Sequence, residues 1–152
     1  MDFKYNIREM EKQDLEQITS LEESCFSMPW KYHDFEEILS NPNRVYLVAE
    51  LQNEPQIIGG CMLTEIAGEG DISNVAVYSE YRGNHIATEL LKELIMYAEK
   101  RWNTNAFTLE VRSKNAAAIK LYENAGFKSV GIRPRFYDKP KDDAVIMWLN
   151  KD

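Results

Sequence analysis

The chain is short of the residues that staple or metallate small folds. Its 152 residues include only two cysteines, Cys25 and Cys61, and two histidines, His33 and His85. Two thiols are too few for a disulfide scaffold, and this set offers no cluster at metal-ligand spacing. Both cysteines are expected as reduced core residues, and no metal is expected. Basic residues are outnumbered as well, 18 Lys and Arg against 25 Asp and Glu, for a formal net charge of −7. Duplex nucleic-acid binders gain most of their affinity by neutralising phosphates, so this balance argues against that class. A basic protein partner fits it, although the needs of solubility alone would also produce it. No stretch approaches the roughly 18 uninterrupted apolar residues of a membrane span. The opening residues Met1-Asp2-Phe3-Lys4-Tyr5 lack the charged start and apolar run of a signal peptide. The expected location is the cytoplasm, with no membrane partner.

What is present is an ordinary globular composition, 44% apolar and 28% charged, with the charge spread along the chain. A single domain over residues 1–152 with one core is expected. After an alternating segment at residues 3–8, Leu15, Ile18, Leu21 and Cys25 recur at spacings of three and four, which predicts a helix over 13–25. Pro29-Trp30 breaks it, and Phe35, Ile38 and Leu39 mark a shorter helix before Asn41-Pro42. Strands are predicted at 45–51 and 57–66, joined by a hairpin connection at Gln52-Asn53-Glu54-Pro55, and at 71–77 after Gly68-Glu69-Gly70. Ile86, Leu90, Leu91, Leu94, Ile95 and Ala98 share one stripe of a helix over 86–100. A strand at 107–111, a helix at 116–124 capped by Gly126, and strands at 128–132 and 144–149 complete the pattern. This order predicts an α/β fold, one mixed sheet with helices packed against it.

Tyr81-Arg82-Gly83-Asn84-His85-Ile86-Ala87-Thr88 joins the strand ending at Val75-Ala76-Val77 to a helix start. Unpaired amides and the helix macrodipole make such a turn a binder of anions such as a pyrophosphate. Gly83 and Ala87 are small enough for close backbone approach, and Arg82 could add a charge. Taken alone, the same residues also read as a plain connecting loop. The spacing of a dinucleotide-binding glycine turn is absent.

Further on stand Thr108-Leu109-Glu110-Val111-Arg112, then Asn115, then Leu121-Tyr122-Glu123-Asn124-Ala125-Gly126-Phe127. Together with the turn at residues 82–87, these motifs resemble the GCN5-related N-acetyltransferase superfamily, over nearly the whole chain. Asp142-Asp143-Ala144, Phe136-Tyr137 and the run Cys25-Phe26 through Pro29-Trp30 resemble its branch that acetylates N-terminal alanines of bacterial ribosomal proteins. The resemblance implies an acyl-CoA N-acyltransferase fold: a mixed, mostly antiparallel sheet of about seven strands flanked by four helices, its central strands splayed. Acetyl-CoA is then the expected co-substrate. Its pantetheine arm would lie between the strand ending at Val77 and the strand carrying Glu110, held by backbone groups of Val75, Ala76 and Val77. The stretch Arg82, Gly83, Asn84, His85, Ile86, Ala87 and Thr88 would hold the pyrophosphate, and Asn115 would contact the coenzyme beyond it. The superfamily usually has Gly where this chain has His85, a residue that resists a positive φ. Either the backbone there is ordinary helix, which is the expectation, or coenzyme affinity is reduced.

The resemblance makes Glu110 the general base, through an ordered water, and Tyr122 the general acid that protonates the departing thiolate. Without it, Glu110 reads as a solvent-facing edge residue and Tyr122 as a core ring with a wet hydroxyl. An α-amine, with a pKa of about 8, loses its proton more readily than a lysine at about 10.4, which suits a protein N-terminus as acceptor. Phe26, Pro29 and Trp30, between the first two helices, and Phe136 and Tyr137, placed in the turn between the last two strands, would flank the acceptor groove. Phe26 and Trp30 read equally as a clasp between helices. The expected partner is a peptide or protein N-terminus, a ribosomal protein, and the chain is expected as a monomer or weak dimer. Two rivals stand beside this reading: an acetyltransferase for a polyamine or aminoglycoside, and a non-catalytic acetyl-CoA-binding module.

Overall fold

The structure, a computed structural model, describes residues 4–151; Met1, Asp2 and Phe3, which entered the sequence reading, lie outside them. The elements are β1 (Tyr5–Glu9), a 3-10 turn (Lys12–Asp14), α1 (Leu15–Cys25), α2 (Tyr32–Ile38), β2 (Arg44–Leu51), β3 (Ile57–Ile66) and β4 (Glu69–Val77). After a second 3-10 turn (Ser79–Tyr81) come α3 (Ile86–Trp102), β5 (Ala106–Arg112), α4 (Ala116–Asn124), β6 (Lys128–Tyr137) and β7 (Asp142–Asn150). The element order is the one predicted. Seven strands form one sheet in the order β1-β2-β3-β4-β5-β7-β6. Every neighbouring pair is antiparallel except β4 and β5. A parallel pair cannot be joined by a tight turn, and α3 provides the crossover it needs.

Strand alternation sorts the core into two layers. On β2, Val45, Leu47 and Ala49 face the layer built with Leu90, Leu91, Leu94 and Ala98 of α3. Tyr46 and Val48 face the other layer, with Leu15, Ile18 and Leu21 of α1 and Phe35 and Ile38 of α2. Leu15, Ile18 and Leu21 are fully buried, each contributing about 1.5–3 kcal/mol. A charge at Leu21 would break the α1 seam. Cys61 is buried and Cys25 half-buried, both as free thiols.

Three expectations are corrected in detail. Leu39 is exposed, one residue past the end of α2. Glu69 and Gly70 already belong to β4, because Ala67-Gly68 alone makes the hairpin turn. Phe136 and Tyr137 lie at the end of β6, not in the following turn, which is residues 138–141. Breaks in the β6–β7 register at Ser129/Gly131 and Arg133/Tyr137, with Arg135 at φ 54, hide the continuation of this strand from a period-two reading.

Candidate active site

The sheet opens between its two parallel strands. Pairing of β4 with β5 runs from Glu69↔Ala106 to Ile72↔Leu109 and stops. Past that point β4 stays paired with β3 as far as Val77↔Gly59, and β5 with β7 as far as Arg112↔Ala144. Each strand therefore turns an unpaired edge to its neighbour, and a V-shaped gap begins at Ser73 and Glu110. The divergence has a local cause. Asn74 sits at φ 57, and the β3–β4 register shifts between Gly60 and Met62, so a bulge bends β4 away. The Tyr78 amide donates to the Ile58 carbonyl at 3.1 Å, so alternation aims the amides of Val75 and Val77 into the gap. Ala76 and Val77 are buried and Val75 half-buried.

At the mouth of the gap the chain turns into α3. Gly83 has φ 83, with open space around the position of a Cβ. His85 has φ 62 and ψ 18, so the expected ordinary helical backbone is not what the turn adopts. Two left-handed residues in three are what tightens the turn, and histidine is among the non-glycine types that visit this region. Its side chain is exposed, so it does not fill the hollow. Asn84 Nδ2 closes the turn by donating to the carbonyls of Tyr81 at 3.0 Å and Arg82 at 3.3 Å. Such alternation points successive amides into one concavity, at the positive end of a 17-residue helix. Ile86 is buried, Ala87 half-buried and Thr88 exposed, and no acidic side chain occurs from Arg82 to Thr88. Arg82 does not project freely: its Nε donates to the Val77 carbonyl at 3.0 Å and its Nη2 lies 3.8 Å from Cys25 Sγ. These features fit a pantetheine arm in the gap and a pyrophosphate at the turn. Asn84 and His85 also line an open groove of about 540 Å³ against Tyr5, Asn6 and Ile7, but that groove takes no part of its wall from β4 or β5.

The opposite bank is built from side chains. Glu110 keeps 29% of its side chain exposed, and its Oε2 lies 3.2 Å from Arg133 Nε. That oxygen is buried, so its charge is met by the Arg133 guanidinium and not by solvent. Tyr122 on α4 is 8% exposed, its ring edge-on to Phe127 at 6.0 Å. Burial first, then Cys61 and Tyr137, raises its phenol well above the ordinary value, so it stays protonated. Tyr137 links the two electrostatically: burial and then the Glu110 carboxylate raise its own phenol. Arg112 stacks over the Tyr137 ring at 4.4 Å and donates to the carbonyls of Pro140 at 2.7 Å and Asp138 at 3.1 Å. The β6–β7 turn and Tyr137 are thus clamped to the end of β5.

The remaining expected residues divide. Phe26 is exposed and Pro29 half-buried. Trp30 is half-buried, stacked on Phe35 at 5.9 Å and covered by Arg44 at 5.7 Å, so a clasp between elements is one role it has. Asn115 caps α4, its Oδ1 accepting from the Ala118 amide at 3.1 Å, so its side chain already has a structural role. Asp142 holds that loop in place by accepting from Ser113 Oγ and from the Lys114 amide at 3.2 Å.

Two carboxylates escape the sequence reading. Asp71 on β4 has its carboxyl raised by lost hydration and then by Glu110, with Arg133 pulling the other way. Glu22 is fully buried on the apolar stripe of α1, its carboxyl pushed up to about 7 by burial against donors from Tyr46 and Asn74. Its place four residues after Ile18 is the one signal that could have found it.

The sequence profile of the acetyltransferase (GNAT) family matches residues 15–127. The "[Ribosomal protein bS18]-alanine N-acetyltransferase" of Escherichia coli (strain K12) is 32% identical over 145 residues, covering 94% of this chain and 95% of that protein. Among solved structures, the ribosomal-protein-S18-alanine N-acetyltransferase from Escherichia coli superposes with a TM-score of 0.87 at 28% identity, covering 97% of this chain and 94% of that one. Arabidopsis thaliana NAA60 in complex with acetyl-CoA gives a TM-score of 0.88 at 19% identity, over 96% and 98% of the two chains, a likeness of fold. No helix among the described residues is long and apolar enough to cross a membrane. No group of three His, Cys, Asp or Glu among them could hold a metal ion.

Proposed function

The chain belongs to the acetyltransferase (GNAT) family and uses acetyl-CoA, and on that footing we propose that it acetylates the N-terminal α-amine of a protein, an N-terminal alanine of a small-subunit ribosomal protein. The observation that carries this reading is the gap beyond Ile72 and Leu109, with Glu110 on its edge and Tyr122 on the helix that follows. Bound acetyl-CoA supplies a thioester carbonyl open to attack. The amides of residues 83–88 hold its pyrophosphate, and the inward amides of Val75 and Val77 hold the arm, while Ala76 between them pairs with Gly60 of β3. Glu110, its Oε2 held beside Arg133, accepts through a water the proton that the amine must lose. Tyr122, kept protonated by burial, donates its proton to the sulfur that leaves. One bond to nitrogen forms, the carbon–sulfur bond breaks, and no acyl-enzyme is needed.

The acceptor groove runs past Phe26, Pro29 and Trp30 on one side and Tyr137 on the other. The net charge of −7 suits a basic ribosomal tail. Asp71 beside Glu110 is the one observation that favours a second reading, a polyamine acceptor. Thiol release from acetyl-CoA decides between them across three acceptors: a peptide with a free N-terminal alanine, the same peptide N-terminally blocked but carrying a lysine, and spermidine. The proposal expects turnover with the first alone; equal turnover with the blocked peptide or with spermidine contradicts it.

A further inference from the structure

A buried carboxylate outside the reacting groups joins the two sides of this site. Glu22 lies on α1, with no exposure to solvent. Its Oε1 accepts from Asn74 Nδ2 at 2.9 Å and its Oε2 from the Tyr46 hydroxyl at 2.8 Å. Asn74 is no ordinary strand residue. It is the left-handed residue of β4, two positions after the last β4–β5 pair, and its bend starts the gap. Held at φ 57, it sets the direction in which Val75 and Val77 aim their amides. Tyr46, the second donor, packs edge-on to Phe35 at 5.8 Å, and Phe35 carries Trp30 at 5.9 Å. Space for the Tyr46 ring exists because position 60 is glycine, where a Cβ would fall 2.5 Å from Tyr46 Cε1. One carboxylate therefore grips the bend of the coenzyme strand with one oxygen and a ring stack reaching the acceptor loop with the other.

We propose that Glu22 is a positioning residue for acetyl transfer: through Asn74 it fixes the β4 bulge that seats the coenzyme arm. Packing alone would not select a carboxylate for this place. A buried carboxylate is costly, and an apolar side chain of the same length would fill the site without that cost. What the carboxylate adds is two acceptor oxygens, each meeting a donor from a different strand. The inference rests on the reading of the gap as the coenzyme seat.

The test measures acetyl-CoA affinity by calorimetry in the intact protein. Glu22→Met keeps the volume and removes both acceptors. Asn74→Gly keeps the left-handed backbone, removes only the tether, and serves if the first variant does not fold. Glu22→Gln retains an acceptor for Tyr46 and an amide that a flipped Asn74 can meet, so it is the conservative rescue. Ile18→Ala, in the same helix and core layer, controls for lost stability. The expected result is an acetyl-CoA Kd at least tenfold weaker in Glu22→Met and Asn74→Gly, and within about threefold of wild type in Glu22→Gln and Ile18→Ala. Wild-type affinity in Glu22→Met and Asn74→Gly, or an equal loss in Ile18→Ala, overturns it. Hydrogen exchange of the wild-type protein with acetyl-CoA separates the two levels of failure. Missing protection at residues 83–88 sinks the coenzyme seat itself, whereas protection there with unchanged variant affinities sinks only the role of Glu22.

Discussion

The two banks of the gap do their work with different parts of the chain. On the β4 side the groups proposed to meet the coenzyme are backbone amides, with a bulge at Asn74 and left-handed residues at Gly83 and His85 setting their direction. On the β5 side the proposed groups are side chains: Glu110 and Arg112 on β5, Tyr122 on α4 and Tyr137 at the end of β6. The first bank is gripped from behind by a buried carboxylate and flanked by strands covered on both faces. The second ends in β6, where Val130, Ile132 and Phe136 are exposed and the register slips twice. A site that recognises one constant coenzyme can be made of backbone, because shape suffices. A site that moves protons and selects an acceptor needs ionisable and aromatic side chains.

The contrast predicts where substitutions hurt. The largest effects belong to the side-chain bank. Glu110→Gln and Tyr122→Phe are each expected to lower kcat by about a hundredfold to ten-thousandfold while calorimetry finds acetyl-CoA affinity unchanged. Near-normal turnover in both would erase the distinction between the banks.

Next comes the carboxylate behind β4. Glu22 has a folded pKa of about 7, above its ordinary 4.5, so the neutral form is favoured on folding. Its stabilising contribution is full below pH 4.5 and is lost as pH rises through 7, a swing on the order of 3 kcal/mol. Denaturant titrations of wild type and Glu22→Gln between pH 4.5 and 8 should therefore diverge, with the variant lacking that decline. Parallel curves would mean that Glu22 does not titrate in this window.

A smaller effect is expected at the clamp on Tyr137. Arg112→Leu removes the stacked cation and two hydrogen bonds to the β6–β7 turn, and should raise the KM for the acceptor peptide about tenfold with little change for acetyl-CoA. The smallest belongs to the turn. His85→Gly relieves a left-handed histidine at about 1 kcal/mol, offset by the greater freedom of glycine in the unfolded chain. Acetyl-CoA affinity should stay within about threefold of wild type, because the proposed contact is the backbone amide, which glycine keeps.

How much of this was legible beforehand cuts across that divide. Helix α4 was predicted at its observed bounds, and its Gly126 cap takes φ 102 as the motif requires. The α3 stripe is buried residue for residue, from Ile86 to Ala98. Periodicity reads such elements because one face alone meets the core. It could not place Phe136 and Tyr137 on β6, since bulges and the positive φ of Arg135 break the alternation that marks a strand. Nor could it see His85 in the left-handed region, because the identity of a side chain constrains φ only weakly when a turn demands it. Glu22 was missed for a third reason. A carboxylate on an apolar stripe looks like the solvated side of a helix until Tyr46 and Asn74, from two different strands, are seen to meet it.

The central claim is that the thioester sits in the gap between β4 and β5, with Glu110 and Tyr122 serving opposite ends of the transfer. The most direct measurement is a structure with coenzyme A and an N-acetylated alanine peptide bound together. The account predicts the sulfur within about 3.5 Å of the Tyr122 hydroxyl and the peptide nitrogen joined to Glu110 directly or through one water. A pantetheine arm lying outside the gap, or a sulfur facing neither residue, would contradict it.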